Sequence, residues 1–468
     1  MSVWVFLFWK CSIDDAFITF RYAENLADGH GFVFNRGGQA VEGYSNFLWL
    51  LILALLYKIG LPTYLCAKII GIITVLITGI LWYRFPGNGD YGKMTWLTGP
   101  FFLICPVTAF WAVSGLELGL HCLLIVLSLV TVVKHSRWLY LLGPLVVLNR
   151  PEGIAVALAI LFVFALVDIK QGRFNRKFYF ISAVTVVLTL AGLIVFRQLV
   201  FGYPFPNTYY AKMHHPLIWG YKMLGKMMLI FLPFTIATAW FIIKSIAVRA
   251  GNLRLLAFTA VLVVQAAISG RVNPIMNFFF RYMMPFFPLL IAVSLAVVSA
   301  FRRPVLRTVA GALCMISLLA PTFMIFSRIE QEETIKKAQW KVIEWAENLP
   351  PATTISMIDM GRIPYYASGN TYFDLWGLIN KDTGHEGFDP AREFYRFPDY
   401  FIFVGYIEDN RSKLHFSREQ MITNNPDFPQ AYEFTQVFYP DDTTPYEPGY
   451  YYLLFERRPD AVEKFRRP

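Results

Sequence analysis

The stretch CSIDDAFITFRYAENLADGHGFVFNRGGQAVEGYSNFLW, residues 11–49, separates one short apolar run from a long apolar chain. It opens with two adjacent acids, Asp14 and Asp15. The following AFITFRYAENLA repeats its apolar residues at helical spacing and reads as an amphipathic helix starting at those acids. The simplest role for the pair is then a helix N-cap, where carboxylates meet free N–H groups and the positive end of the dipole. The alternative is a general base or a metal ligand at a membrane surface. Beyond the helix, Gly29, Gly31, Gly37 and Gly38 permit tight turns, so DGHGFVFNRGGQAVEGYSNFLW reads as loop, hairpin-like segment and loop. His30 in that loop is either a proton shuttle or a solvated histidine. Glu42 stands with Gly43, Tyr44, Ser45 and Asn46, a polar group suited to a hydroxyl-rich ligand.

The surrounding chain explains why these polar residues matter. Of the 468 residues, 56% are hydrophobic and 16% charged, with a mean hydropathy of +0.46. Soluble domains carry about 25% charged residues, so the composition indicates a membrane protein. The net charge of +10 then reflects basic residues facing the cytoplasm and the lipid interface, and nucleic acid is excluded as a partner. The five cysteines are scattered, without a CxxC spacing, which argues against a disulfide framework or a zinc site.

Apolar segments fall at 63–84, 94–113, 116–133, 138–149, 153–168, 178–196, 226–246, 253–269, 282–301 and 305–326. Residues 1–9 are apolar but shorter than the ~20 a span requires. They read as a truncated first span, with no cleavable signal, which gives about eleven spans. Residues 47–60 read as a helix along the interface. Alternate connections are basic: 84–93, 134–137, 170–177, 244–254 and 302–307. The positive-inside rule makes these cytoplasmic. Lys212, Lys222 and Lys226 run against that rule. Only nine of the chain's 32 acids precede residue 328. On this topology Asp90 and Asp168 face the cytoplasm. Asp14, Asp15, Glu24, Asp28, Glu42, Glu117 and Glu152 share the outer side. Acids beside spans are costly and face cavities or partners, so seven on one side imply a polar site at the outer surface.

Further motifs end on that side. WAVSGLELGL places Glu117 at the end of a span, and NRPEG places Arg150 and Glu152 at another. The plainer reading of NRPEG is an Arg–Glu pair closing a chain reversal at Pro151 and Gly153. FGYPFPNTYYAK (201–212) is a Pro-punctuated loop bearing Asn207, Tyr209 and Lys212, and NPIMNFFFRY (273–282) sets Arg281 at the mouth of a span. Any one of Arg150, Arg197, Lys212, Arg271 and Arg281 is explained by snorkelling. Several beside an acidic cluster point to an anionic group held there, with phosphate the natural candidate.

Taken in order, DDAFITFRYAENLADGHGFVFN, VEGYSNFLW, WAVSGLE, LNRPEG, FPNTYYAK and DMGRIPYYASG…YFDLWGL resemble a family of bacterial multi-spanning glycosyltransferases. That family includes the mycobacterial terminal arabinofuranosyltransferases. More broadly the chain resembles the GT-C superfamily, alongside protein O-mannosyltransferases and lipid A aminoarabinose transferases. The resemblance spans nearly the whole chain. It implies a mainly α, polytopic helix bundle with a C-terminal α/β extracytoplasmic domain. It implies transfer of a sugar, arabinofuranose by the closest likeness, from a polyprenyl-phosphate donor to a glycan, lipid or protein acceptor outside the bacterial inner membrane. It makes Asp14 or Asp15 the catalytic base, with Asp14 preferred. The substrate-binding residues become His30, Glu42, Tyr44, Asn46, Glu117, Arg150, Glu152, Asn207, Tyr209, Lys212 and Arg281. No cofactor is required; the carboxylate pair permits Mg²⁺ or Mn²⁺.

Composition shifts after residue 327. Residues 328–468 hold 23 acids against 16 Lys and Arg. This divides a membrane-embedded catalytic domain (1–327, first outer loop 10–62) from an extracytoplasmic domain (328–468). QEETIKKAQWKVIEWAENL reads as an amphipathic helix, and TISMID, DYFIFVGY and YYLLFE as strands. DMGRIPYYASGNTYFDLWGL offers Asp359, Asp374 and aromatic rings, read as core ahead of sugar contact. A transporter or flippase, which needs polar residues near the midplane and often internal repeats, and a non-catalytic assembly scaffold are the competing functions.

Overall fold

A computed structural model describes residues 1–84, 94–212, 217–248, 252–272, 274–408, 411–440 and 450–465. The expected 85–93 connection, with Asp90, lies outside these residues, as do Arg249 and Asn273. The chain is mainly helical, with one mixed sheet near its C-terminus.

Every predicted apolar segment is helical. Among the described residues, five helices are long and apolar enough to cross a membrane, or seven if each bent pair forms one span. The five include Thr63–Arg84, Gly153–Lys170 and Arg176–Val200. Leu118–Val133, Leu139–Asn149 and Leu253–Ser269 are shorter apolar helices. The expected single span at 226–246 is a correction: helices Ile218–Ile230 and Leu232–Ser245 meet at 98°. Pro233 explains the break, because its ring carries no N–H and restricts the residue before it. Lys222 and Lys226 therefore stand on a helix set across its successor. The same effect bends Thr95–Ile104 against Pro106–Val113 by 57° at Pro106.

The helix Asp14–Ala27 starts where the sequence places it, and Phe47–Lys58 packs along it. The hairpin-like segment between them closes through one antiparallel bridge, Val33 to Ala40. All five cysteines are free.

The composition step at 327/328 falls inside one helix, Thr322–Glu347. The predicted helix at 331–349 is thus the continuation of the last apolar segment. After it come β1 (Thr354–Met357), β2 (Thr371–Asp374), β3 (Tyr400–Glu408), β4 (Arg411–Leu414), β5 (Tyr432–Phe438) and β6 (Tyr451–Arg457). The order is β2-β1-β3-β6-β5, with β4 on β3. Strands β2, β1 and β3 are parallel, and β6 and β5 antiparallel. The three predicted strands are β1, β3 and β6. The run FIFV within DYFIFVGY is apolar without alternation because residues 401–405 of β3 are buried on both faces. Ile402 and Val404 join the core shared with the first helices, while Phe401 and Phe403 pack with Phe428 and Tyr432 opposite.

Close helix crossings hold the bundle. A Cβ on Gly71 would lie 2.2 Å from the Ala112 carbonyl oxygen, so only hydrogen fits. Gly71→Leu should lower the thermal unfolding midpoint in detergent, at a cost of roughly 1–3 kcal/mol for overpacking. Gly192→Leu, where nothing lies within 4 Å, should leave it within a degree or two, about ±0.5 kcal/mol for an open surface site. Equal shifts would remove the crossing as the cause.

Candidate functional site

The adjacent aspartates open the Asp14–Ala27 helix, but neither side chain caps it: the N-cap is Ile13, without a side-chain bond. This corrects the N-cap reading. Asp14 instead binds the C-terminal region. Its Oδ2 accepts from the Gly361 N–H at 2.9 Å; its Oδ1 accepts from the Arg362 N–H at 2.9 Å and Gln339 Nε2 at 3.1 Å. The Arg362 guanidinium donates to Gln339, reaches Ser12 Oγ at 3.1 Å and lies 5.0 Å from the Phe17 ring centre. Burial pushes the Asp14 carboxyl above its ordinary range, and Arg362 opposes the shift. Asp359, next to this contact, accepts from the Tyr450 and Tyr452 hydroxyls at 2.7 and 2.6 Å. Burial first, and then the charge of Asp14, push Asp359 up to about 6.

Asp15 points elsewhere. Its side chain is 34% exposed, and its Oδ2 accepts from Arg281 Nη1 at 3.2 Å. Arg281 is presented by an irregular segment in which Phe279 and Phe280 have φ of +43° and +59°. Left-handed backbone is costly for such residues and persists where the surroundings enforce it. Here Trp111 Nε1 donates to the Phe279 carbonyl at 2.9 Å, and Trp111 lies 6.0 Å from the Arg281 guanidinium.

Arg150 sits between two acids. It donates to Glu117 and, at 2.5 Å, to Glu152, and its guanidinium lies 4.6 Å from the Tyr282 ring centre. Asn46 Nδ2 donates to the other Glu117 oxygen at 2.8 Å, and Thr19 donates to Asn46 at 3.2 Å. Lys212, ending the Asn207–Lys212 helix, shares the field of Asp15, Arg281 and Arg150, and burial lowers its ammonium pKa. The structure thus gathers Asp15, Lys212, Arg281, Arg150, Glu117, Glu152 and Asn46 at one end of the bundle. Asp168 lies at the other end, where His135, Tyr179 and Arg173 donate to it.

The remaining predicted residues fall around this cluster. Glu42 is buried and accepts both arms of Arg197, at 2.7 and 3.0 Å. Its carbonyl accepts from the Asn207 N–H. Asn207 Nδ2 spans the carbonyls of Gly377, Leu378 and Asn380. Tyr44 is buried edge-on to Tyr22. Tyr209 is exposed and lies tilted against Phe205, and His30 is exposed in its loop. Asp374 caps its own loop through the N–H groups of Trp376, Leu378 and Ile379. The sequence singled out neither Gly361, Arg362 nor Gln339 for the site. The visible signal for Gly361 and Arg362 is the DMGR motif, because their binding groups are backbone N–H.

The carboxylate pair is taken up by protein donors in this structure. Asp14 is engaged by three N–H donors and Asp15 by a guanidinium. Among the described residues, no three His, Cys, Asp or Glu side chains converge on one point.

Residues 328–455 match a family profile described as a domain of unknown function (DUF8728). No curated protein matches the chain. ArnT from Cupriavidus metallidurans bound to undecaprenyl phosphate is a similar structure, with a TM-score of 0.60 at 12% identity, covering 97% of this chain and 96% of that one. The Archaeoglobus fulgidus oligosaccharyltransferase in its apo form gives 0.53 at 10% identity, over 91% and 76%. AglB of the same archaeon, in complex with an inhibitory peptide and a dolichol-phosphate, gives 0.50 at 11%, over 87% and 70%. At these identities the likeness establishes the fold. The chain is an integral membrane protein with the GT-C glycosyltransferase fold and a small sheet-containing C-terminal region.

Three substitutions probe the site. Arg150→Met should destabilise the protein by roughly 3–5 kcal/mol, because Glu117 stays buried without its partner. Adding Glu117→Gln should recover part of that loss in thermal unfolding; no recovery would mean the pair is not coupled. At Gly361 a Cβ would lie 2.1 Å from the Asp14 carbonyl oxygen. Gly361→Ala should therefore raise hydrogen exchange across residues 358–366, and unchanged exchange would show the contact is dispensable.

Proposed function

We propose that this protein transfers a sugar from a polyprenyl-phosphate carrier to an envelope glycan, lipid or protein acceptor at the outer face of the bacterial inner membrane. The C-terminal region would lie outside, over the site. The observation that carries the reading is the convergence of a partly exposed aspartate with Arg281, Lys212 and the Arg150 pairs in a GT-C fold. ArnT, whose structure holds undecaprenyl phosphate, and AglB, whose structure holds a dolichol-phosphate, supply the carrier class.

In this reading Asp15 is the general base. It takes the acceptor hydroxyl proton while the acceptor oxygen bonds to the anomeric carbon. The bond from that carbon to the phosphate oxygen breaks, and the lipid phosphate leaves with the electron pair. A phosphodiester of charge −1 becomes a monoester approaching −2, since its second pKa lies near 6. Arg281 and Lys212 would meet that growing charge in a site partly shielded from water, where fixed cations act strongly. Asp15 loses its charge as the phosphate gains one, so the balance of the cluster is preserved. Asp14, preferred on sequence grounds, is assigned instead to holding the C-terminal region, because both of its oxygens already accept from donors there. Arabinofuranose is the proposed sugar, on the motif likeness alone.

The test is transfer in nanodiscs from a panel of polyprenyl-phosphate sugars that includes arabinofuranose. Asp15→Asn should cut turnover by about 10²–10⁴, the range for a lost general base. Undiminished turnover in that folded variant would sink the assignment. Absence of transfer from every donor would return the transporter and scaffold readings.

A further inference from the structure

A separate cavity of about 620 Å³ lies away from the acid–base cluster. Its walls come from the loop at residues 34–41, from Tyr203, and from the segment running from Thr371 to Arg396. Its volume falls within the range of small-molecule and substrate pockets, about 300–1,000 Å³. No predicted site residue lines it.

Its chemistry is specific. The His385 ring lies 3.8 Å from the Tyr203 ring centre and 3.9 Å from that of Tyr210. Burial, and then the Lys381 charge, lower the His385 pKa, which leaves the imidazole neutral. Phe34 and Phe373 add apolar faces, and Asn35 and Gln39 add amides. The charged lining residues are largely matched. Arg396 pairs with Asp382 and with Glu393, Glu386 with Arg392 at 2.7 Å, and Arg36 with Asp28 at 3.1 Å. Lys381 rests over the Tyr203 ring at 4.5 Å. Paired charges retain spare donors and acceptors for hydroxyl groups and present little net field to an ion. Flat aromatic faces beside planar polar groups suit the two surfaces of a sugar ring.

The cavity is linked to the reaction site by one short helix. Asn380 lines it and is bonded by Asn207, while Lys212, at the other end of the same six-residue helix, lies in the field of Asp15. That helix rises about 9 Å. We propose that this cavity is a subsite for a neutral oligosaccharide, the glycan acceptor of the transfer reaction. This rests on the glycosyltransferase reading and narrows its acceptor to a glycan.

The experiment is binding of the full chain in nanodiscs to immobilised neutral arabinan, galactan and mannan oligosaccharides, with uronic-acid oligomers as the anionic comparison. No donor is needed. Retention on a neutral series should weaken at least tenfold (about 1.4 kcal/mol) in Tyr203→Ala with His385→Ala. Gln39→Trp, which fills the cavity from an exposed position, should weaken it similarly without removing a packed side chain. Retention within twofold of wild type in both variants would overturn the assignment. So would binding confined to the uronic-acid oligomers, or to no glycan. Asp15→Asn separates the two readings: loss of turnover with glycan retained supports the cavity, whereas loss of the glycan would move recognition to the acid cluster and overturn it.

Discussion

A carboxylate drawn out of water must be met by donors, and the half-buried one on Asp14 is met across more than 300 residues of chain. The N–H groups of Gly361 and Arg362, with the Gln339 amide, supply what water would otherwise provide. Unpaired, that charge would be prohibitive to bury; paired with ionic hydrogen bonds it becomes a directional lock. The loop that supplies the donors leaves the end of β1, and the loop that meets Asn207 leaves the end of the parallel neighbour β2. The carboxyl ends of parallel strands are where such sheets bind their partners. In this protein the partner is the helical bundle itself.

This lock also orients the second aspartate. Consecutive residues project about 100° apart around a helix. Once Asp14 faces the C-terminal region, Asp15 cannot, and it turns to Arg281. One acid is thereby engaged in assembly while its neighbour meets a guanidinium. The sequence resemblance prefers Asp14; the contacts of the folded chain separate the two.

The bundle end is organised by charge pairs that differ in what they leave open. Arg197 gives both arms to Glu42, and Arg150 is shared by Glu117 and Glu152. Buried pairs of this kind add little net stability, because desolvation offsets the attraction, but they fix geometry strongly. They set the walls against which Arg281, Lys212 and Asp15 stand. The aromatic cavity beyond the Asn207–Lys212 helix is built on another plan, with most of its charges matched and aromatic rings in its wall.

Composition and periodicity by themselves determined the membrane class, the helical segments, the start of the Asp14–Ala27 helix and three of the six strands. These follow from local apolar patterning, which acts within a few residues. β2, β4 and β5 were not legible: TYFD is too short, and the exposed middle of β5 gives no alternation. The break at Pro233 was hidden inside an unbroken apolar run, since lipid-facing and buried residues look alike. The collection of acids at one end was visible in the charge census, but pairing was not, because Glu42 with Arg197 and Asp15 with Arg281 join residues more than 150 apart. Only the tertiary structure decided that Asp14 meets the Gly361 and Arg362 N–H groups and that Asp15 meets Arg281. The donors that separate them are mainly backbone N–H groups, which every residue but proline carries and no sequence pattern marks.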